Sequence, residues 1–101
     1  MRFSINPDDG LDDLYTRGSS SKLGKKLDVA IVKAFARRMA VIAAVPDERE
    51  LYAYASFHFE KLERNDVDHS IRLNGQWRLI VALREDEQGR YIWIDKIEDY
   101  H

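Results

Sequence analysis

The stretch over residues 76–84 constrains the fold most, because its apolar side chains alternate with the period of a β-strand. One face of this strand would carry Trp77, Leu79, Val81 and Leu83, and the other Arg78, Ile80 and Ala82. The dipeptide Asn74-Gly75 before it is typical of a two-residue hairpin turn, which makes residues 70–73 the partner strand. The second half of the chain is therefore expected to contain an antiparallel sheet.

The first half of the chain follows a helical period instead. A buried stripe at spacings of four, four, four and three is formed by Leu27, Ile31, Phe35, Met39 and Ile42. This stripe predicts one long helix that is capped within the serines at 19–21 and ended by Pro46. A shorter helix is predicted before it, capped by Asp8 or Asp9, running to about Thr16 and stopped by Gly18.

The remaining segments complete an α+β domain. Strands are predicted over residues 2–5, 57–62 and 90–97, a short helical turn over residues 47–54, and a turn over residues 86–89. Helices that come mostly before the strands favour helices packed on one face of an antiparallel sheet. With 101 residues the chain is expected to be one domain over residues 1–101, since it is too short for two cores.

Composition excludes several classes of protein. The chain has no cysteine, so it has no disulfide, thiol nucleophile or Cys-based zinc site. It has no apolar run of the roughly 20 residues that a membrane helix needs. The amino-terminal residues do not resemble a signal peptide, and we expect a cytoplasmic protein without a membrane partner. His58 and His69 lack the spacing of metal ligands, so no metal or cofactor is expected.

Charge is distributed unevenly around a formal net charge of −2. Residues 16–45 contain a single acid, Asp28, and seven basic residues: Arg17, Lys22, Lys25, Lys26, Lys33, Arg37 and Arg38. This segment is compatible with a face that binds nucleic acid or an acidic partner. It is equally compatible with the solvated face of an ordinary helix.

The strongest functional signal is the series Asp99-Tyr100-His101 after the last predicted strand. All three side chains can transfer protons, and an arginine such as Arg78 can hold a phosphate through two hydrogen bonds. If the last strand lies beside the strand of Arg78, the four groups could share one surface and cut RNA. The alternative is structural: Arg78 would pair with Asp95 or Glu98 across the sheet, and His101 would be frayed.

Two segments together resemble a known family. The run SIRLNGQWR, then a strand and a turn, then IEDYH, resembles HigB-type toxins of the RelE/ParE toxin superfamily, most strongly over residues 57–101. The resemblance implies two N-terminal helices on a small twisted antiparallel sheet. It also implies ribosome-dependent cleavage of mRNA, and neutralisation by a HigA-type antitoxin with a helix-turn-helix domain.

The resemblance also implies roles for individual residues. His101 and Asp99 would be the acid/base groups, Tyr100 a positioning residue, and Arg78 the residue that stabilises the phosphate. The family's site takes one more residue from the strand before the hairpin, where Glu60 is the nearest match and His58 lies two positions earlier. The residues expected to bind RNA, the ribosome or the antitoxin are Lys22, Lys25, Lys26, Lys33 and Arg37.

Two other functions remain open at the level of sequence. The chain could be a toxin without nuclease activity that binds a protein target, as ParE-type relatives bind DNA gyrase. The acidic overall balance favours this alternative, whereas the Asp-Tyr-His series favours the nuclease. The chain could also be a relic that binds an antitoxin and has lost its activity.

Overall fold

The structure, a computed structural model, describes residues 1–99, in which the chain forms five strands and three α-helices. Tyr100 and His101 lie outside the described residues. The strands are β1 (Phe3–Ile5), β2 (Glu60–Lys61), β3 (Asp68–Arg72), β4 (Trp77–Asp86) and β5 (Gly89–Asp99). The helices are α1 (Leu11–Arg17), α2 (Lys22–Lys26) and α3 (Val29–Ala44). Short 3₁₀ turns form at Asp8–Gly10, Gly18–Ser20, Glu48–Ala53 and Ala55–Phe57.

The five strands form one sheet in the order β1-β5-β4-β3-β2. The meander from β2 to β5 is antiparallel, as the sequence predicts, but β1 lies parallel to β5, with Ser4 opposite Trp93. The sheet is therefore mixed, because the first strand, for which the sequence predicts no pairing, adds in parallel to the antiparallel meander. The predicted α+β class, with helices packed on the sheet, is confirmed.

The core lies between the helices and one sheet face, which we call the inner face. Ile31, Phe35, Met39 and Ile42 of the predicted stripe are all buried on α3. They belong to one apolar cluster with inner-face residues of the sheet, among them Leu79, Val81, Ile92 and Ile94. Burial of aliphatic side chains on this scale is the main favourable contribution to folding. The alternation over residues 77–83 therefore identified the correct inner face.

The predicted long helix is divided at Leu27 and Asp28. Leu27 has an extended backbone (φ −98°, ψ 151°), and the Asp28 side chain accepts a hydrogen bond from the backbone N–H of Ala30. Aspartate in this position satisfies an N–H group that the first helical turn leaves unpaired. The periodic stripe continued past this boundary because Leu27 is half-buried against the same core.

The first short helix forms where it was predicted, but its start differs. Neither Asp8 nor Asp9 caps α1, because Gly10 occupies the N-cap position with φ 78° and no side-chain cap is made. Gly18 does end the helix, with φ 57°, in a backbone region that favours glycine.

The hairpin between β3 and β4 has a longer turn than Asn74-Gly75 predicts. The four residues 73–76 connect the strands, and Leu73 N–H donates to Trp77 O at 2.9 Å. The Asn74 side-chain oxygen accepts from the backbone N–H groups of Gln76 and Trp77 at 2.8 and 2.7 Å. A two-residue turn of the type preferred in hairpins needs positive φ at both central residues, and neither Asn74 nor Gly75 has it.

A β-bulge interrupts β5. Ile80 is opposite Lys96 and Val81 is opposite Ile94, so Asp95 is an extra residue without a partner on β4. The Asn6 side chain donates to both the backbone oxygen and Oδ1 of Asp95 at 3.2 Å, and Trp93 Nε1 donates to Oδ1 at 3.2 Å. These bonds fix the bulge, and Asp95 is therefore engaged away from Arg78.

Within residues 1–99, none of the helices is long and apolar enough to cross a membrane.

Candidate active site on the outer sheet face

A row of four polar side chains crosses the sheet face opposite the helices, which we call the outer face. Arg72 on β3 is opposite Arg78 on β4, and Arg78 is opposite Glu98 on β5. His58 extends the row beyond β3, because its Nε2 lies 3.4 Å from Arg72 Nη1. We call His58, Arg72, Arg78 and Glu98 the polar row. It places an imidazole, two guanidinium groups and a carboxylate on neighbouring positions of one surface.

The bulge at Asp95 is the reason that Glu98 belongs to this row. Ile92 and Ile94 face the core, and an uninterrupted strand would point residues 96 and 98 the same way. The extra residue reverses the alternation, so Ile97 packs on the core instead and Glu98 lies opposite Arg78 on the outer face. Lys96 shares that face and lies 3.4 Å from Glu98, close enough for an ion pair.

Arg78 lines a shallow cavity of about 230 Å³. The other residues around it are Leu62, Glu63, Arg64, Ser70, Ile80 and Glu98. Arg78 itself is half-buried, and its Nε and Nη1 atoms are shielded from solvent. Arginine is the residue best suited to hold a phosphate, and Nε and Nη1 would have to become accessible for Arg78 to bind one through paired hydrogen bonds.

Asp99 does not lie in the polar row. It is opposite Trp77, one position beyond Glu98, so regular alternation assigns it to the face of Trp77. Its Oδ2 accepts a hydrogen bond from Gln76 Nε2 at 3.3 Å. Asp99 is thus adjacent in sequence to the row, at the end of the strand, whereas Glu98 directly faces Arg78. Tyr100 and His101, the other two predicted site residues of this series, lie outside the described residues.

Glu60 lies on the outer face but outside the polar row. It is exposed on β2, opposite Ser70, which in turn is opposite Ile80. Two strand spacings of about 4.8 Å therefore separate β2 from the strand of Arg78. His58, which the sequence offered as the second choice, is closer to the row through its contact with Arg72.

His58 has an uncommon backbone conformation. Its φ of 45° and ψ of 47° place it in the left-handed region, which disfavours side chains with a Cβ. Strain of this kind occurs often at functional sites, where it orients a side chain. Because a guanidinium offers only donors, any hydrogen bond between Arg72 and His58 makes Nε2 the acceptor and leaves the ring proton on Nδ1.

Arg72 and Glu98 are the site residues that sequence reasoning did not assign to the chemistry. The predicted hairpin could have identified Arg72. In two strands joined by a short turn, residues at similar distances from the turn lie opposite each other, as Arg72 and Arg78 do. Glu98 was expected only as one of two structural partners of Arg78, and the bulge places Glu98, not Asp95, opposite that arginine.

The predicted RNA- or antitoxin-binding residues lie apart from the polar row. Lys22, Lys25, Lys26, Lys33 and Arg37 are all exposed on α2 and α3. These helices pack on the inner face, so the basic surface and the polar row belong to different sides of the molecule. Arg38 differs from them, because its Nε reaches the backbone oxygen of Arg72 at 3.0 Å.

Among residues 1–99, no group of three or more histidine, aspartate or glutamate side chains is arranged to hold a metal ion. The polar row offers instead two fixed positive charges, one group that can accept a proton, and one carboxylate. Such an arrangement can bind an oxyanion and support proton transfer beside it.

Comparison with known proteins agrees with this fold. The sequence matches the family of HigB-like toxins, described as RelE-like toxins of type II toxin-antitoxin systems, over residues 6–101. The structure is similar to that of a YoeB/ParE toxin from Agrobacterium tumefaciens, with a TM-score of 0.60 and 11% sequence identity over 100% of both chains. No curated protein sequence matches the chain.

Proposed function

Since the chain belongs to the HigB-like toxins, RelE-like toxins of type II toxin-antitoxin systems, we propose that it is an endoribonuclease that cleaves mRNA on the ribosome. The observation that carries this proposal is the position of Arg78 on the outer face, between Arg72 and Glu98 and beside the strand that leads into Asp99. A surface for a phosphate is thereby combined with groups that can move protons. A toxin that only binds a protein target has no need of that combination.

Cleavage of RNA by its own 2′-hydroxyl needs three contributions from the protein. A base removes the hydroxyl proton, a cation stabilises the crowded phosphorane, and an acid protonates the leaving 5′-oxygen. Arg78 is assigned the second role, because it lines a cavity on the outer face and corresponds to the family's phosphate-stabilising residue. His101 and Asp99 share the proton transfers by their correspondence to the family's residues, and Tyr100 positions the substrate.

The polar row supplies further groups for the same reaction. Arg72 adds a second positive charge beside Arg78, where the phosphorane gains negative charge. His58 can replace Glu60 as the contribution from the chain before the hairpin, since it contacts Arg72 directly. Glu98 opposite Arg78 orients the guanidinium across the sheet.

The proposed partners follow from the family and from charge. The exposed basic residues of α2 and α3 would bind a HigA-type helix-turn-helix antitoxin or ribosomal RNA, and the outer face would meet mRNA. A ribosomal target implies that the protein acts in the cytoplasm.

The variant Arg78→Ala tests the central assignment. Loss of a preorganised cation at the phosphorane should lower the rate of mRNA cleavage by a factor of about 10²–10³. The matched control is Arg84→Ala, since Arg84 lies on the same face of β4 and its guanidinium packs on the Trp93 ring at 4.3 Å. The rates are measured with purified ribosomes translating a defined message, and circular dichroism checks that both variants fold.

Full cleavage by Arg78→Ala would refute its assignment. Primer extension on a translated message, in cells that express wild type or His101→Ala, tests the whole proposal. Cuts that need translation and vanish in the variant support a ribosome-dependent nuclease. Growth arrest without cuts would refute the nuclease and favour a protein target such as gyrase, and the absence of arrest would identify a relic.

A further inference from the structure

A cluster of aromatic and cationic side chains lies at the end of the polar row. The Tyr54 ring stacks on the Phe57 ring, with centroids 5.1 Å apart and an interplanar angle of 28°. The Arg38 guanidinium lies 4.4 Å from the centroid of the same Phe57 ring. Phe57 is buried, whereas Tyr54 has 42% of its surface exposed. Tyr54 is thus an exposed aromatic ring in contact with a buried one, and exposed rings of this kind can stack on a planar ligand.

This cluster is continuous with the polar row. Arg38 Nε donates to the backbone oxygen of Arg72 at 3.0 Å, and Arg72 Nη1 lies 3.4 Å from His58 Nε2. His58 follows Phe57 directly in the chain. A strand of nucleic acid bound at Arg78 would therefore meet Arg72 and His58 first, and then Arg38 and Tyr54.

The cluster carries the positive charges of Arg38 and Arg72, and Arg37 adds a further charge beside Arg38. In the part of the chain that the structure describes, no ion pair includes Arg37, Arg38 or Arg72. Burial, and then the charge of Arg37, lower the pKa of Arg38 below its usual value. Both effects disfavour the charged form of Arg38, so an anion bound beside its guanidinium would stabilise that form.

We propose that Tyr54, Arg38 and Arg72 form a subsite for a nucleotide of single-stranded RNA next to the scissile phosphate. The base stacks on the open side of the Tyr54 ring, and the two guanidinium groups bind the phosphate that follows it. Stacking on an aromatic ring next to arginine is the usual way in which proteins bind unpaired bases. The subsite rests on the proposed function in one respect, because it assumes that the same RNA strand is also bound at Arg78.

An acidic protein segment is the weaker candidate for this surface. Such a segment would use the arginines but would gain little from an exposed tyrosine ring stacked on a second ring. RNA uses both features, since every base has a π-face and every linkage has a charge. The combination of ring and cations, rather than charge alone, favours RNA.

The test measures binding rather than cleavage. The full chain, labelled with ¹⁵N, is titrated with a short oligouridylate at low salt, and dissociation constants are taken from the NMR shift changes. The amide signals of residues 54–58 and of Arg72 should move. Tyr54→Ala should weaken binding about tenfold, and Tyr54→Leu, which still covers Phe57, should weaken it similarly. Arg38→Gln should also reduce the slope of log Kd against log salt by about one.

Two controls isolate the subsite. Tyr15→Ala removes a tyrosine of similar exposure (47%) that contacts one ring, Phe3, away from the row, and should leave binding unchanged. Arg49→Gln removes an exposed charge that belongs neither to the polar row nor to the predicted binding residues, and should have a smaller effect than Arg38→Gln.

The subsite and the nuclease can fail separately. Wild-type protein that binds oligouridylate through Tyr54 but cuts no message would refute the nuclease and retain the subsite. Equal binding by wild type and Tyr54→Leu would overturn the subsite even if the wild type cuts mRNA. Tighter binding of a glutamate-rich peptide than of RNA at the same signals would also overturn it, in favour of a protein partner.

Discussion

Glu48 is a buried carboxylate whose partner comes from a distant strand. Its side chain lies 2.6 Å from the Arg90 guanidinium, and Arg90 itself is more than half exposed. Arg90→Ala would leave the Glu48 charge inside the protein without this partner. We expect the variant to lower the free energy of unfolding by about 1–3 kcal/mol, measured by urea denaturation.

Lys61→Ala is the control for Arg90→Ala, because it removes an ion pair that is exposed. Lys61 and Asp66 form an ion pair at 3.2 Å in which Asp66 is almost fully exposed, and such pairs contribute about 0–1 kcal/mol. If Arg90→Ala lowers the free energy of unfolding no more than Lys61→Ala does, burial of Glu48 does not make its ion pair more important than an exposed one.

Single residues were predictable from sequence where their chemistry was local. Arg78 could be assigned to the outer face because alternation along β4 needs no knowledge of its neighbours. His58 could be named but not ranked above Glu60, since its contact with Arg72 depends on strand register and on a left-handed backbone. Glu98 could be named only beside Asp95 as a structural partner of Arg78, because its face is set by an irregularity in the strand.

Among the elements, the bulge in β5 has the largest effect on the site. Asn6 holds it through two hydrogen bonds to Asp95, one to the backbone and one to the side chain. Asn6→Ala should therefore lower the free energy of unfolding by about 1–2 kcal/mol and also slow mRNA cleavage, as Glu98 loses its fixed position opposite Arg78.

The control for this prediction is Arg90→Ala, which should lose similar stability without touching the bulge. Both variants are assayed with purified ribosomes at a temperature at which urea curves show them fully folded. Equal cleavage rates of Asn6→Ala and Arg90→Ala would show that the bulge does not affect the activity of the site.

The boundary between α2 and α3 is set by Leu27 and Asp28. The apolar stripe continues across this boundary because hydrophobic periodicity shows which side chains are buried and does not show where the backbone leaves the helix. In the sequence, only Asp28 indicates that a new helix begins here. Asp28→Ala should cost about 1 kcal/mol of unfolding free energy, whereas Asp28→Asn, which can still accept the Ala30 N–H, should cost little. Equal losses in thermal or urea unfolding would disprove the capping role.

Across the whole molecule, Arg2 ties the first strand to the turn between β4 and β5. Its guanidinium donates to Asp86 at 2.7 Å and to Gly89 O at 2.8 Å. The hydrogen bond from Arg2 lowers the pKa of Asp86 below its usual value of 3.8. The folded protein therefore binds this proton less tightly than the unfolded chain does.

The sign of the pH effect follows from that shift. The contribution of Asp86 to stability is complete above the usual carboxyl pKa of about 4 and is lost as the pH falls through the lower folded value. Arg2→Ala should lower Tm slightly near neutrality, since both groups are exposed, and by less at acid pH, so that the acid limb of a plot of Tm against pH becomes flatter. An unchanged acid limb would contradict this linkage.

The parallel pairing of β1 with β5 has a consequence for synthesis of the chain. β5 follows the other four strands in residues 1–99, yet it lies between β1 and β4 in the sheet. During translation β1 can pair only after β5 has left the ribosome, and until then the apolar side of α3 lacks Ile92 and Ile94 to pack against. A nascent chain that stalls before Gly89 would expose this surface to chaperones and proteases, and the polar row, which includes Glu98, is completed only after β5 has been made.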